Sequence, residues 1–569
     1  MRMKMVCLED GITSCGFRKM AAFVAQLNPD TESCYISTNR WKSLPNLIRG
    51  TFGTEGELSD DGIDEIAQHL AKAEMIGYSS MTGYADLTRR IITRVREINP
   101  STYQIWGGIH PIIHPEDAIT ADVDAICNGE GEFAFREFFD LYKEGRDFTG
   151  VQNFWFKTHG GSAGSNGNGS VNGNGSGPGS HIVRNGFLPL MTPEQMEDLP
   201  FPEYGADHER IYVPGEGFVP LTQDDYLLNF SLGYQTVWSI GCPFHCSFCG
   251  NTKFIANDPK YKKVRHPSAR YIVDEIKSVR RRFPFVSQVS FHDDSFMAIP
   301  YKELEQFADL WRAELGIPFT VYGVIPNYVK EEKFEILTWA GMNRVRMGIQ
   351  SGSQAILDFY KRPTPPERIL EAGSVIAKFS AKYHIPPAYD IIVDNPIETR
   401  QDVVDTLELL YKMDRPYTLF IYSLKIIPNT ELERAMTERG VDLDGISSSY
   451  MIIPPRAANL LLYVLAVWRP PRWLFDRLLE FVKPSSEPQR MYPRLGMLLR
   501  SLYLGKRAVD HLRFMDVSVL PGKTGYFLWR TGIVKALSRF TPRPPKPRPE
   551  KHRRVDVAAR IPVMEAEAG

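Results

Sequence analysis

The first 145 or so residues alternate short apolar runs with longer stretches of helical periodicity. Lys4–Leu8, Cys34–Ser37, Met75–Ser80, Gln104–Gly108 and Ala125–Gly129 read as strands; Gly62–Ala73, Asp86–Glu97 and Phe133–Lys143 read as helices. Alternation with short connections predicts a parallel, doubly wound, Rossmann-like sheet over residues 1–150. Such sheets take ligands beyond the carboxyl ends of their strands. Three small or polar segments fall there: Ser79-Ser80-Met81-Thr82, Gly107-Gly108-Ile109-His110-Pro111 and Gly129-Glu130-Gly131-Glu132.

A second alternating region runs from about Gln235 to Ile427. Its strands are Thr236–Ile240, Gln288–His292, Phe319–Val324, Arg344–Gln350, Tyr389–Val393 and Leu419–Ile426. Helices such as Ser268–Arg281, Lys302–Glu314, Glu331–Ala340 and Gln401–Lys412 separate them. Six βα units predict a partial, TIM-like barrel over 231–440, with its chemistry at the strands' carboxyl ends. Residues 151–230 read as a linker region. Within it, Asn153–Lys157 and His181–Arg184 form a hairpin whose tip, a Gly/Ser/Asn-rich loop at 160–180, is expected to be disordered.

Beyond the barrel the pattern changes. Residues 441–540 read as mainly helical, with Trp473–Val482 and Leu495–Tyr503 carrying apolar residues at helical intervals beside Arg494, Arg500 and Lys506. Residues 541–569 form a basic tail expected to be disordered. The net charge of −1 conceals this division: between Arg456 and Arg560, Lys and Arg outnumber Asp and Glu by 22 to 7, so the rest of the chain is acidic. A hydrophobic content of 43% with 24% charge excludes a disordered, collagenous or purely coiled-coil chain. The N-terminal MRMKMVCLED turns acidic where a secretory leader would be apolar. The longest charge-free apolar run, Ala457–Trp468, falls short of the ~20 residues of a spanning helix. A cytoplasmic protein is expected. Its basic amphipathic segments are open to two readings, a helical cap on the barrel or peripheral contact with the inner face of an anionic membrane.

Seven cysteines in so long a chain are no disulfide scaffold. Three are closely spaced, Cys242-Pro-Phe-His-Cys246-Ser-Phe-Cys249. Thiolates suit iron–sulfur clusters and zinc, but a structural zinc site takes four ligands and no second cysteine pair follows. His245 lies between two of the cysteines and is poorly placed to complete one. Three thiolates hold three irons of a 4Fe–4S cluster and leave the fourth open. Cys7, Cys15, Cys34 and Cys127 read as small residues of an α/β core.

C-x3-C-x2-C after the first strand of a partial barrel resembles the radical S-adenosylmethionine (SAM) superfamily. There the open iron chelates SAM, and reduction releases a 5′-deoxyadenosyl radical. His292-Asp293-Asp294-Ser295-Phe296 is similar to the family's acidic SAM-amine segment, and Gly341–Ser353 to the segment usually ending in Glu-Ser-Gly. Asp394-Asn-Pro-Ile-Glu398-Thr is similar to its Gly-Leu-Pro-Gly-Glu-Thr turn. Gln350 and Asp394-Asn395 depart from the commoner Glu and Gly-Leu, and Ile240 from the commoner Arg. The resemblance implies cluster ligation by Cys242, Cys246 and Cys249, and SAM binding by Phe248, Asp293, Asp294, Gln350 and Ser351.

The three N-terminal segments, in that order ahead of the cysteines, resemble the cobalamin-binding branch of the superfamily, methyltransferases included. Cobalamin contacts are then implied for Ser79, Ser80, Thr82, Gly107, Gly108, His110, Gly129 and Glu130. No Asp-x-His-x-x-Gly motif is present, so no histidine is expected below the cobalt. The implied function is methylation of an unactivated carbon of a small-molecule or lipid-like substrate, with a reductant such as flavodoxin or ferredoxin as partner. A non-methylating cyclisation or rearrangement is the first alternative. RNA modification is the second, disfavoured because Cys7, Cys15 and Cys34 are bunched rather than spread over three strand ends; a nucleic-acid partner is not expected.

Overall fold

The computed structural model describes residues 1–9, 11–37, 58–159, 180–380, 385–443, 453–514, 516 and 520–537. Nearly all of the 160–180 loop and the whole 541–569 tail lie outside the described residues.

The N-terminal sheet is built from β1 (Met3–Glu9), β2 (Thr31–Ser37), β3 (Met75–Ser80), β4 (Tyr103–Gly107), β5 (Ala125–Cys127), β6 (Phe154–His159), β7 (Ser180–Arg184), β8 (Glu209–Val213) and β9 (Gly217–Pro220). Their order is β7-β6-β5-β4-β3-β1-β2-β8-β9. Pairings among β1–β5 are parallel. Met3, Met5 and Cys7 pack beneath helices Cys15–Leu27 and Glu132–Glu144, while Val6 and Leu8 pack beneath Asp60–Leu70 and Ala85–Ile98. This is the period-2 alternation of a sheet covered on both faces. The strand order reverses between β1 and β3, which opens a crevice beyond their carboxyl ends.

Residues 151–230 are more than the linker expected from sequence. They add β6 and β7 as an antiparallel hairpin on one edge, and β8, parallel to β2, with β9 on the other. Short strands at a sheet edge carry little periodicity of their own, so partner strands define them.

The second sheet holds β10 (Gly233–Thr236), β11 (Gln288–Phe291), β12 (Phe319–Val324), β13 (Met342–Gln350), β14 (Ala388–Val393) and β15 (Thr418–Ser423), in sequence order and all parallel. This is the expected six-stranded partial barrel. One strand is displaced: the predicted Thr236–Ile240 is observed as Gly233–Thr236. Past Thr236 the backbone leaves the sheet because the Asp293 carboxylate accepts from the Trp238 and Ser239 amides at 3.2 and 2.6 Å.

The C-terminal helices pack on the barrel. Ala457–Val467 is buried against β15 and helix Arg400–Lys412, and Pro493–Arg513 lies across it. Tyr503, on the inner side of that last helix, exchanges hydrogen bonds with the backbone of Leu419. Among the described residues no helix is long and apolar enough to cross a membrane.

Candidate functional site

The cysteine loop follows β10 and is held on every side. Ile240 and Arg265 exchange backbone hydrogen bonds of 2.8 and 2.9 Å, and the Cys242 amide donates to Tyr261 O at 3.2 Å. Gly241 has φ +112°, and a Cβ there would stand 2.7 Å from two carbonyl oxygens, so the turn into Cys242 requires glycine. Ser247 is the central tie. Its amide donates to Tyr360 O at 2.9 Å, its hydroxyl to Phe359 O at 3.0 Å, and its carbonyl accepts from Leu432 N at 3.0 Å.

Cys242 and Cys246 are buried and Cys249 half-buried. Burial pushes the Cys242 thiol up to about 11 and the Cys249 thiol up to about 12, so a metal must displace their protons. Among the described residues, Glu32, Cys34 and His69 alone bring three ligand atoms within 4.8 Å of one another. The three motif thiols stand farther apart than this, a separation that suits a multi-iron cluster. The Glu32 group already holds a cation: Lys4 Nζ lies 2.7 Å from Glu32 and 2.5 Å from His69. His245 turns to Glu431, 3.6 Å away, rather than to the cysteines.

Arg362, which sequence reasoning missed, sits beside the loop. Its Nη1 is 3.6 Å from Cys246 Sγ and its Nη2 donates to Gly348 O at 2.5 Å. The preceding Lys361 adopts φ +50°, turning the chain inward after helix Gln354–Phe359.

The concave barrel face is polar. Along β13, β14 and β15 the half-buried positions alternate with buried ones, bringing Arg346, Gly348, Gln350, Asp390 and Tyr422 to one surface. Arg346 Nε donates to Asp390 at 2.7 Å, its Nη2 donates to Tyr422 Oη, and its guanidinium lies over the Phe420 ring at 4.4 Å. His292 stacks on Tyr322 at 4.3 Å, and desolvation within the cleft, with Arg346 nearby, pushes its imidazole down. Of this set only Gln350 was singled out from sequence, with His292 included only in its quoted segment. The alternation Arg344-x-Arg346-x-Gly348-x-Gln350 is the signal that pointed to it.

The residues implied for SAM divide. Asp294 is exposed, with Tyr261 Oη donating to it at 3.4 Å. Gln350 adopts φ +73° at the end of β13 and folds back over Gly348, where a Cβ would stand 2.5 Å from its Nε2. Phe248 meets Tyr360 edge-on at 5.1 Å behind the cysteine loop. Two side chains are turned elsewhere. Asp293 is buried and spends its carboxylate on Trp238 and Ser239, an internal anchor rather than a ligand-facing acid. Ser351 is buried and bonded to Thr406 and the Ser353 amide.

The residues implied for cobalamin divide likewise. Ser79, Thr82, Gly107 and Gly108 gather at the carboxyl ends of β3 and β4. Thr82 Oγ1 is buried without a partner, an unfilled polar position that suits a ligand. Gly108 has φ +90°, and a Cβ there would stand 2.8 Å from Ser80 N. Four others have structural duties. Ser80 Oγ accepts from Trp106 Nε1 at 2.9 Å. His110 is buried against Trp106, its Nε2 2.9 Å from Asp117 and its buried Nδ1 without a partner. Gly129 makes room for Asn153, whose side chain a Cβ would meet at 2.5 Å. Glu130 pairs with Arg265 at 2.7 Å and accepts from Met191 N, joining sheet to barrel.

The two strand-end surfaces face each other. A Cβ on Gly250, next to Cys249, would stand 3.0 Å from Ile113 Cδ1, and Asn429 Nδ2 donates to Ile113 O at 3.0 Å. Helix Ile109–Ile113 thus abuts helix Asn251–Asn257. The crevice of the N-terminal sheet and the cysteine loop open toward one interface.

Comparison with known proteins agrees. The radical SAM superfamily model matches residues 236–410, and the B12 binding domain model matches residues 53–139. An uncharacterized methyltransferase of Pyrococcus horikoshii is 22% identical over 370 residues, 64% of this chain and 70% of that protein. The anaerobic magnesium-protoporphyrin IX monomethyl ester cyclase of Rubrivivax gelatinosus is 24% identical over 63% of this chain. The cytidylyl-2-hydroxyethylphosphonate methyltransferase of Streptomyces wedmorensis is 23% identical over 55%. The matched stretch spans 57% and 56% of those last two proteins. In fold, the chain is similar to the radical SAM methyltransferase TsrM from Kitasatospora setae, with TM-score 0.55, 15% identity and coverage of 77% and 75% of the two chains. It is also similar to the cobalamin-dependent SAM radical enzyme OxsB, with TM-score 0.56, 14% identity and coverage of 95% and 75%. With both domains in one molecule and their ligand-facing ends opposed, the chain belongs to the cobalamin-binding radical SAM family, enzymes that work with a 4Fe–4S cluster, SAM and cobalamin.

Proposed function

We propose that the enzyme transfers a methyl group to an unactivated carbon of a small-molecule or lipid-like substrate in the cytoplasm, with electrons from a flavodoxin- or ferredoxin-like donor. The observation that carries this reading is the abutment of the two strand-end surfaces at Ile113, Gly250 and Asn429, which sets the B12 segment against the cysteine loop. When bound, the cluster with SAM supplies radical chemistry and cobalamin supplies a transferable methyl group. The chain's own residues do the rest. Cys242, Cys246 and Cys249 would ligate the irons, and Arg362 would balance thiolate charge. Asp294 and Gln350 front the SAM side, while Ser79, Thr82, Gly107 and Gly108 front the corrin side. Arg346, oriented by Asp390 and Tyr422, offers a fixed cation to an acceptor or anionic substrate group.

A second reading, cyclisation without methylation, is favoured by the similarity to the Rubrivivax cyclase. One experiment separates the two. The anaerobically reconstituted holoenzyme is given SAM with an isotopically labelled methyl group, reductant, and separate small-molecule and lipid extracts. Label recovered in an extract component together with S-adenosylhomocysteine supports methylation. A modified component that forms with 5′-deoxyadenosine but carries no label overturns it.

A further inference from the structure

Helix Pro493–Arg513 is packed on one side and bare on the other. Gly496, Tyr503 and His511 face inward and are buried. Outward, Leu495, Leu498, Leu502, Val509 and Leu512 are 45, 56, 52, 64 and 52% exposed. Their steps of three, four, seven and three residues keep them on one stripe along the helix, with Gly505 and Ala508 exposed between them. A soluble surface seldom leaves so continuous an apolar strip uncovered.

The charge beside the stripe has one sign. On the exposed side stand Arg494 and Arg513, with Lys506 holding the helix's single acid, Asp510, at 2.5 Å; Arg500 and Arg507 turn inward over Tyr463 and Phe420. The surrounding segment repeats the combination. Trp468, Trp473, Phe481, Met491, Phe527 and Ile533 are also exposed, and residues 456–560 hold the chain's basic excess. A second copy would fit the spacing, which matches a coiled-coil seam, but a symmetric contact would set Arg494 and Arg513 against like charges, and the helix's one carboxylate, Asp510, is already held by Lys506. An anionic lipid surface answers both features at once, taking the leucines into its acyl boundary and the arginines at its phosphates.

We propose that the outer face of helix Pro493–Arg513 docks the enzyme peripherally on an anionic membrane. The inference stands on the stripe and its charge and does not depend on the reaction proposed above.

The test is flotation of the full-length holoprotein with vesicles of phosphatidylcholine alone or mixed with phosphatidylglycerol. The comparison is the triple variant Leu498→Glu, Leu502→Glu, Val509→Glu. These side chains are exposed, so the variant should keep the parent's thermal midpoint and cluster absorbance. The parent should float with anionic vesicles about tenfold more than with neutral ones, in line with ~1 kcal/mol per engaged cation. Added salt should weaken this binding and the variant should abolish it. A parent that stays with the soluble fraction in both mixtures overturns the proposal. So does a parent dimer in sedimentation that the variant converts to monomer, which would assign the stripe to a second copy. Vesicle binding that the variant retains overturns the assignment to this helix.

Discussion

Arg362 places Nη1 3.6 Å from Cys246 Sγ while its Nη2 is tied to the Gly348 carbonyl, so a fixed positive charge stands beside a cluster ligand. A cation there stabilises the more negative, reduced cluster and raises its potential. Arg362→Gln should lower the midpoint potential, with a tenfold shift in the reduction equilibrium corresponding to about 59 mV. Redox titration followed by electron paramagnetic resonance reads this directly. An unchanged midpoint would leave Arg362 as a packing residue only.

Glu130 and Arg265 are 135 residues apart, largely buried, and joined at 2.7 Å. Removing one partner strands a charge between the domains, at a cost on the order of 3 kcal/mol. Glu130→Ala should lower the thermal midpoint and separate the unfolding of sheet and barrel in calorimetry. A Glu130→Ala melt that superimposes on the parent's contradicts this.

Glu398 is buried near Asp402 and Asp394, and burial first, then these acids, pushes its carboxyl up to about 8. An unfolded glutamate ionises near ~4.3, so between that pH and 8 the folded state holds a proton that the unfolded state has lost. Stability therefore falls as pH rises through this window and levels off above it. Glu398→Gln cannot ionise and should escape the loss. Its midpoint should match the parent's near the lower end of the window and exceed it by several degrees at pH 8, where ~1 kcal/mol is worth ~2–4 °C. Parallel pH profiles would contradict the assignment.

The two adjacent glycines at the end of β4 should behave differently. A Cβ on Gly108 meets Ser80 N at 2.8 Å in a left-handed backbone, whereas one on Gly107 makes ordinary contacts at 3.7 Å. Gly108→Ala should destabilise by ~1–3 kcal/mol. Gly107→Ala should melt like the parent yet retain less cobalamin, read from absorbance after gel filtration. Full cobalamin retention by Gly107→Ala would remove that residue from the corrin surface.

Much of the architecture was legible because it is local. Period-2 apolar runs between helical stretches mark β1, β3, β4 and five of the six barrel strands, and the cysteine spacing needs only eight consecutive residues. What escaped is long-range. Asp293 looks like a ligand in its Asp-Asp pair, and only the returning backbone of Trp238 and Ser239 consumes it. Gly129 suggests close approach of a ligand, yet the group it admits is Asn153. Arg362 lies 116 residues from Cys246, with no local pattern to connect them. Edge strands β8 and β9 are short and gain definition only by pairing.

Cys242, Cys246 and Cys249 would hold the cluster that reduces SAM, in a protein that also binds cobalamin. Anaerobic reconstitution with iron, sulfide and cobalamin, followed by SAM and dithionite, tests it through 5′-deoxyadenosine measured by mass spectrometry. The parent should yield deoxyadenosine and Cys246→Ala none, with cobalamin bound equally by both. Undiminished SAM cleavage by Cys246→Ala would contradict it.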